Sequence, residues 1–270
     1  MSNVYITGLV AAQQQLQTIS ANVANANTDG FKGQTARFSV LGTEGGPGLG
    51  VRAADNVIDF GQGSLRSTGK ALDLAISGRG FFVTLASSTN TTGSSGSAGG
   101  AALDTTSRLT RNGAFKMDKD GYIVDLQGRK LAVEGTTGGQ VAAARVDLNG
   151  GASSGFSRIE VRQDAEIFAI YGNNSSATLG KVAVANLQDP SNLVADDSNS
   201  YTYITQAEVP SISTSGGKGR GSVISGMLEG SNVDLTKQLV DMITAQRNYQ
   251  ATAKGLSATD VITQTIINLR

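Results

Sequence analysis

The sequence predicts an α+β chain in which long, discontinuous N- and C-terminal helices form a coiled-coil core segment and enclose an inserted, mainly antiparallel β domain. Three observations predict it. An apolar seam at seven-residue spacing runs from residue 2 to about 27, a second runs from 231 to 270, and Gly-punctuated strand patterns fill the interval.

The first helix is carried by two rows. Leu9, Leu16 and Val23 recur every seven residues, and Tyr5, Ala12, Ile19 and Ala26 recur beside them. This four-three alternation is the pattern of a helix that packs along a partner. Gly8 weakens the helix locally, and Asn25 to Gly30, rich in turn formers, ends it. From Met1 through Thr28 there is no charged residue. The outer side carries Gln13, Gln14, Gln17, Asn22 and Asn25, where a solvent-facing helix carries ions. Burial in an ordinary domain accounts for this. So does a helix surrounded by other protein on most sides, where amides are tolerable and ions are costly to desolvate.

The last helix repeats the design. Ser231 and Asp234 read as a capping pair at its start. Leu235, Met242, Tyr249 and Leu256 repeat at seven, with Leu239, Ala253 and Ile267 on the adjacent row, interrupted by Gln246 and Asp260. Val240, Ile243, Ile262 and Ile266 widen the apolar face. At 1.5 Å per residue this helix reaches about 55 Å and the first about 36 Å. Two long seams at opposite chain ends predict that they pack on each other. A lone two-helix pair covers little apolar surface for the backbone entropy it must lose, so the expectation is that the termini gain their order by assembling with other copies.

Between the helices, Val57 to Phe60, Leu72 to Ile76 and Phe81 to Leu85 read as strands with Gly breaks. Ala114 to Leu126 is a hairpin signal turning around Lys119, Asp120 and Gly121, and a second turn follows at Gln127 to Arg129 before Lys130 to Val133. Arg158 to Val161, Ile167 to Tyr171 and Lys181 to Leu187 continue the pattern. Ser87 to Ser107 is a Ser/Thr/Gly/Ala tract that reads as a flexible surface loop, and Ser211 to Ser222 is a second flexible stretch. The expected domains are therefore 1–35 plus 228–270, helical and tube-forming, and 36–227, a β-rich outer domain with its loop at 87–107.

Composition excludes much chemistry. The 270 residues hold no His, Cys or Trp, and 22 basic side chains balance 22 acidic ones. No Ser-His-Asp triad, Cys nucleophile or thiolate or imidazole metal site can be built. Zero net charge argues against nucleic acid as a partner. No apolar run is long enough for a membrane span, and the N-terminus lacks the basic and apolar regions of a cleavable signal peptide. Gly63 to Lys70 misses the phosphate-loop spacing by one residue and has Ala71 where a Ser or Thr would hold magnesium. Asp118, Asp120 and Asp125 resemble part of a calcium loop without its closing Glu, and explain themselves as a hairpin. Lys218 and Arg220 among glycines read as a solvated linker. Asp73 and Glu166 are carboxylates that nothing pairs for acid-base work. The expectation is no enzyme, no cofactor and no metal.

Four longer motifs carry a resemblance. Ser20-Ala-Asn-Val-Ala-Asn-Ala-Asn-Thr-Asp-Gly-Phe-Lys32 resembles the N-terminal signature of bacterial flagellar rod and hook proteins. Ala71-Leu-Asp-Leu-Ala-Ile-Ser-Gly-Arg-Gly-Phe-Phe82 is similar to that family's first β-domain signature, and Thr110-Arg-Asn-Gly-Ala-Phe followed by Asp120-Gly-Tyr-Ile-Val to its second. Leu228-Glu-Gly-Ser-Asn-Val-Asp234 and Met242-Ile-Thr-Ala-Gln-Arg-Asn-Tyr-Gln250 resemble its C-terminal signature. The resemblance implies an axial subunit that polymerises into the hollow hook or distal rod, outside the cytoplasm, with terminal helices forming an inner tube around a channel and the β domain an outer layer. It implies as partners the chain itself, neighbouring axial proteins, a cap protein and the flagellar type III export apparatus, which passes subunits without signal cleavage. The ending Asn268-Leu-Arg270 and the stretch Asn232-Val-Asp-Leu are most similar to hook members, and the length is most similar to distal-rod members. The expected self-assembly seam is Tyr5, Leu9, Leu16, Ile19 and Val23 with Leu235, Leu239, Met242, Tyr249 and Leu256. The expected joint between core and outer domain is Asn22, Asn25, Thr28, Gly30, Phe31 and Lys32. A secreted monomeric β-rich binding module or adhesin with helical ends is the competing reading.

Overall fold

The computed structural model describes residues 2–42, 50–86, 107–134, 141–148, 155–162, 165–172, 175–187, 189–196, 199–203, 211–214 and 221–268. Apart from Ser107, the Ser/Thr/Gly tract lies outside the described residues, as do Lys218 and Arg220. The chain forms two compact units, one of residues 1–27, 32–61 and 232–270 and the other of residues 28–31 and 62–231.

The first unit holds helix α1 (Ser2–Ala24), strands β1 (Gln34–Leu41) and β2 (Gly50–Ile58), and helix α2 (Leu235–Asn268). The two strands pair antiparallel from Gln34↔Ile58 to Leu41↔Gly50, with an irregularity between Thr35 and Arg37. The sequence pattern identifies only the end of β2, at residues 57–58; β1, five of whose eight residues are polar or small, carries no clear strand pattern. α1 lies against this hairpin. Thr7 Oγ1 accepts from Val51 N at 3.3 Å, and Thr18 Oγ1 donates to Gln14 O at 3.0 Å and reaches Asn56 Oδ1 at 3.4 Å. At the start of α2 the N-cap is Asp234 itself, whose Oδ1 accepts from Thr236 N at 2.9 Å and Lys237 N at 3.2 Å. Ser231 lies outside the helix, so the expected Ser231 cap is replaced by a carboxylate one residue before Leu235.

The second unit is β-rich. Its first strands are β3 (Leu65–Ser67), β4 (Leu74–Ser77), β5 (Phe81–Leu85), β6 (Arg108–Thr110), β7 (Lys116–Met117), β8 (Ile123–Val124) and β9 (Lys130–Glu134). They are followed by β10 (Val141–Ala143), β11 (Phe156–Val161), β12 (Glu166–Tyr171) and β13 (Ser176–Asn186). The last are β14 (Leu193–Asp196), β15 (Ser200–Tyr203), β16 (Ser211–Thr214), β17 (Ser222–Ser225) and β18 (Met227–Glu229). The main sheet runs β11-β12-β13-β9-β5-β6-β15-β14, while β17 pairs with β4 and β18 with β3. The ladders are antiparallel. The expected hairpin turns at Gly121 and Gly128, with φ of 80° and 79°. β13 changes neighbours along its length, pairing with β12 and β9 through Val182 and with β5 and β16 from Ala183 on.

The core of this unit gathers Leu74, Ile76, Phe82, Phe115, Ile123, Leu131, Val133, Ile167, Val182, Val184 and Val223. β5 is buried along its whole length, as a strand with apolar residues on both faces must be. Phe82 is fully buried and meets Phe115 edge-on at 5.5 Å. Phe82→Ala is expected to lower the unfolding free energy by about 3–5 kcal/mol, since it removes a ring and leaves a cavity. Urea unfolding followed by tyrosine fluorescence measures this.

Candidate functional site

Within the first unit the terminal helices run antiparallel. A side chain at Gly255 would come within 2.9 Å of the Tyr5 ring, one at Gly8 would sit 3.4 Å from Thr252, and Asn22 Nδ2 donates to Gln238 Oε1 at 3.1 Å. The facing residue numbers sum to 260 in each case, so the two helices keep one register over their shared length. Gly8 and Gly255 permit close approach at one end of it. Buried side chains on α1 are Ala11, Thr18, Ile19 and Asn22, and on α2 Ala245. Thr18 is covered on the side of the β1–β2 hairpin, through Asn56, and Asn22 on the sides of both Gln34 and α2.

Of the expected seam residues, Ile19 is buried, and Tyr5, Leu9, Leu16, Val23, Met242 and Leu256 are half-buried. Leu235, Leu239 and Tyr249 are exposed at 45%, 46% and 38%. Val4, Ile6 and Val10 of α1 and Val240 and Ile243 of α2 are also exposed. Past residue 260, Val261, Ile262, Ile266 and Ile267 are exposed at 59–68%. Apolar side chains thus sit on most of the circumference of α2, which one partner helix cannot cover.

The segment after α1 is fixed by side chains that stand in for backbone. Asn22 is buried; its Nδ2 donates to Gln34 O at 2.7 Å and its Oδ1 accepts from Gln34 N at 2.9 Å, so the helix end offers Gln34 a strand-like edge. Asn25 Nδ2 donates to Ala21 O at 2.9 Å and is half-buried. Asn232 bridges backbone in the same way. Its Nδ2 donates to Asp59 O at 2.8 Å and Gly61 O at 3.1 Å, and its Oδ1 accepts from Gly33 N at 2.8 Å. Lys32 is almost completely buried, with Nζ donating to Gly61 O at 2.8 Å.

Residues 28–31 fold with the second unit. Thr28 O accepts from Phe31 N at 3.3 Å, Phe31 is buried, and Gly30 N donates to Glu229 O at 2.6 Å. Gly30 has φ 72°, and a Cβ there would lie 2.5 Å from Asn112 N, so both conformation and space require glycine. The sequence places Arg111, Glu229 and Asn232 inside motifs without giving any of them a site role, and it does not mark Gln238.

Of the carboxylates weighed for metal, Asp118 and Asp125 hold turns. Asp118 Oδ1 accepts from Lys119 N, and Asp125 Oδ1 accepts from Gln127 N and Arg129 N at 2.9 and 2.8 Å. Burial raises the Asp125 pKa, opposed by those amide hydrogen bonds and Arg129. Gly63 to Lys70 contains strand β3, and Gly63 N donates to Glu229 Oε1 at 3.0 Å. Among the described residues no helix is long and apolar enough to cross a membrane.

Asn22→Ala removes both bonds to the Gln34 backbone and is expected to cost about 2–3 kcal/mol, read as an earlier urea midpoint of the helical circular dichroism signal. Gly30→Ala is expected to cost at least about 1–3 kcal/mol through the forced φ and the clash with Asn112, read from the thermal midpoint of the β-rich unit.

Comparison with known proteins addresses both ends and the interval. Residues 3–32 match the family "Flagella basal body rod protein", and residues 224–269 match "Flagellar basal body rod FlgEFG protein C-terminal". The chain is 23% identical to the flagellar hook protein FlgE of Salmonella typhimurium, covering 98% of each chain. It is 28% identical to the flagellar basal-body rod protein FlgG of Agrobacterium fabrum, covering 94% of this chain and 93% of that one. With FlgG of Bacillus subtilis the identity is 27% over 98% and 97%. The chain is thus similar to flagellar hook and basal-body rod proteins over nearly its whole length, and its two ends match the two family models.

Proposed function

We propose that this chain is a structural, non-catalytic subunit that polymerises with itself into the hollow axial structure of the flagellum, in its hook or rod, where it transmits torque and bounds the export channel. The observation that carries the reading is the apolar surface left bare on α1 and α2. Apolar patches of this extent mark association surfaces, and the occupant that fits a surface repeated on every copy is another copy. The expected seam of Tyr5, Leu9, Leu16, Ile19 and Val23 with Leu235, Leu239, Met242, Tyr249 and Leu256 then has two roles. Its half-buried members hold the helix pair together within a chain, and its exposed members join chains in a coiled-coil tube. The uncharged α1 suits a place surrounded by protein.

In this reading residues 28–32, with Asn22 and Asn25, form the joint between the tube-forming and β-rich regions. Neighbouring axial proteins, a cap protein and the export apparatus are the further partners, and export proceeds without signal cleavage. The alignment with the Salmonella hook protein extends over 413 positions for this 270-residue chain, and that with the Agrobacterium rod protein over 274. The second figure favours the rod by length, while Asn232-Val-Asp-Leu and the C-terminal Asn268-Leu-Arg270 favour the hook. A deletion strain decides: loss of the hook from an intact rod identifies a hook subunit, and loss of rod and hook together a rod subunit.

Concentrated protein is expected to form tubes or filaments in electron micrographs. A double substitution, Val261→Lys and Ile266→Lys, is expected to raise the concentration needed for assembly by more than about tenfold, because each buried aliphatic side chain is worth about 2 kcal/mol. A chain that remains monomeric at millimolar concentration and binds a glycan or peptide would instead support the adhesin reading.

A further inference from the structure

The β-rich unit contains a buried ion pair that the assembly reading leaves unused. Arg111, just after β6, is 3% exposed and Glu229, the last residue of β18, is 1% exposed. Arg111 NH1 donates to Glu229 Oε2 at 3.1 Å and NH2 donates to Gly78 O at 2.9 Å. Glu229 Oε1 accepts from Gly63 N at 3.0 Å, while its backbone carbonyl accepts from Gly30 N at 2.6 Å. The guanidinium lies over the Phe81 ring at 5.2 Å, and Phe81 meets Tyr201 edge-on at 5.9 Å. Burial lowers the Arg111 pKa, with Glu229 acting in the opposite direction, and burial raises that of Tyr201. Among the described residues Arg111 Nε has no hydrogen-bond partner.

Two features show that this pair is not optimised for stability. Desolvating two charges costs about what their attraction returns, and apolar replacements of equal size are commonly as stable. An unpaired buried Nε adds to that cost. What the pair does have is reach. One guanidinium and one carboxylate, with the carbonyl of the same glutamate, fix Gly78, Gly63 and Gly30, which lie on three separate segments. Two of those positions leave no room for a side chain: a Cβ at Gly63 would be 2.1 Å from Gly230 O, and one at Gly30 would strike Asn112.

We propose that Arg111 and Glu229 form a positioning lock that selects one seating of segment Thr28–Phe31 against the end of β18. The forked guanidinium aligns Glu229, and the aligned strand end presents its carbonyl to Gly30. Lysine can neutralise Glu229 but cannot hold both Glu229 and Gly78 O in one plane. The lock acts within a single chain, so its test is independent of whether the chain polymerises.

The test is amide hydrogen exchange, resolved by residue, on the full chain at monomer concentration, for R111K and for the apolar pair R111M/E229L. Val83 in the centre of β5 serves as the internal reference. In both variants exchange at Gly30 and Gly63 is expected to accelerate by at least about tenfold, the loss of one well-formed hydrogen bond, with Val83 unchanged. The thermal midpoint of R111M/E229L is expected to stay at or above that of the parent. Equal acceleration at Gly30, Gly63 and Val83 would assign the pair to general stability and overturn the proposal. Unchanged exchange at Gly30 and Gly63 in R111K would overturn it as well, and R111K retains a cation for Glu229 if the double variant does not fold.

Discussion

An apolar side chain facing water is costly until something covers it, and α2 carries such side chains on most of its circumference. Its antiparallel partner α1 covers one face. Along that face Tyr5 meets Gly255, Gly8 meets Thr252 and Asn22 bonds Gln238, while Leu239, Val240 and Ile243 remain exposed. The helix pair is thus held in register by close approach at Gly8 and Gly255 and by the Asn22–Gln238 bond, while several large apolar side chains of both helices stay exposed. The β-rich unit is the reverse case. Phe82, Ile123, Leu131, Ile167 and Val184 are sealed inside one core, so it has a sufficient source of stability in its own sequence.

Where the chain leaves the helices, its backbone polar groups are met by a small number of side chains. Asn22 binds both the N–H and the carbonyl of Gln34, and Asn232 binds Gly33, Asp59 and Gly61. An asparagine side chain has the donor and acceptor of a peptide group, so it can extend a hydrogen-bond ladder from a residue that belongs to no strand. Buried Lys32 contributes a cation to a carbonyl in the same region. These groups are directional, and they bring order where apolar packing is thin.

Paired charges in the β-rich unit fall into two kinds. Arg108 with Asp196 and Arg66 with Asp29 are solvent-accessible pairs of small consequence for stability. Arg111 and Glu229 are buried, and Gly30 and Gly63, which both bond to Glu229, leave no room for a side chain. Charge in such a place narrows the number of packings the segment can adopt, a role that apolar residues of equal volume fill poorly.

The sequence by itself determined the α+β class, the two terminal helices, the hairpin about Gly121 and most strands from residue 74 to 187, because these rest on local periodicity and turn chemistry. Its motifs at both ends also carry the resemblance to flagellar rod and hook proteins, and those two ends match the family models. The sequence did not disclose β1, whose pairing with β2 is non-local and whose own alternation is weak. Nor did it disclose that Asn232 meets Gly33, that Arg111 meets Glu229, or that Leu235, Leu239 and Tyr249 lie on the open side of α2 while Ile19 lies on the closed side of α1. A seven-residue repeat states that a face is apolar. Which of two adjoining apolar faces an antiparallel partner covers depends on side-chain size at the point of closest approach, and that is decided only when the helices meet in three dimensions.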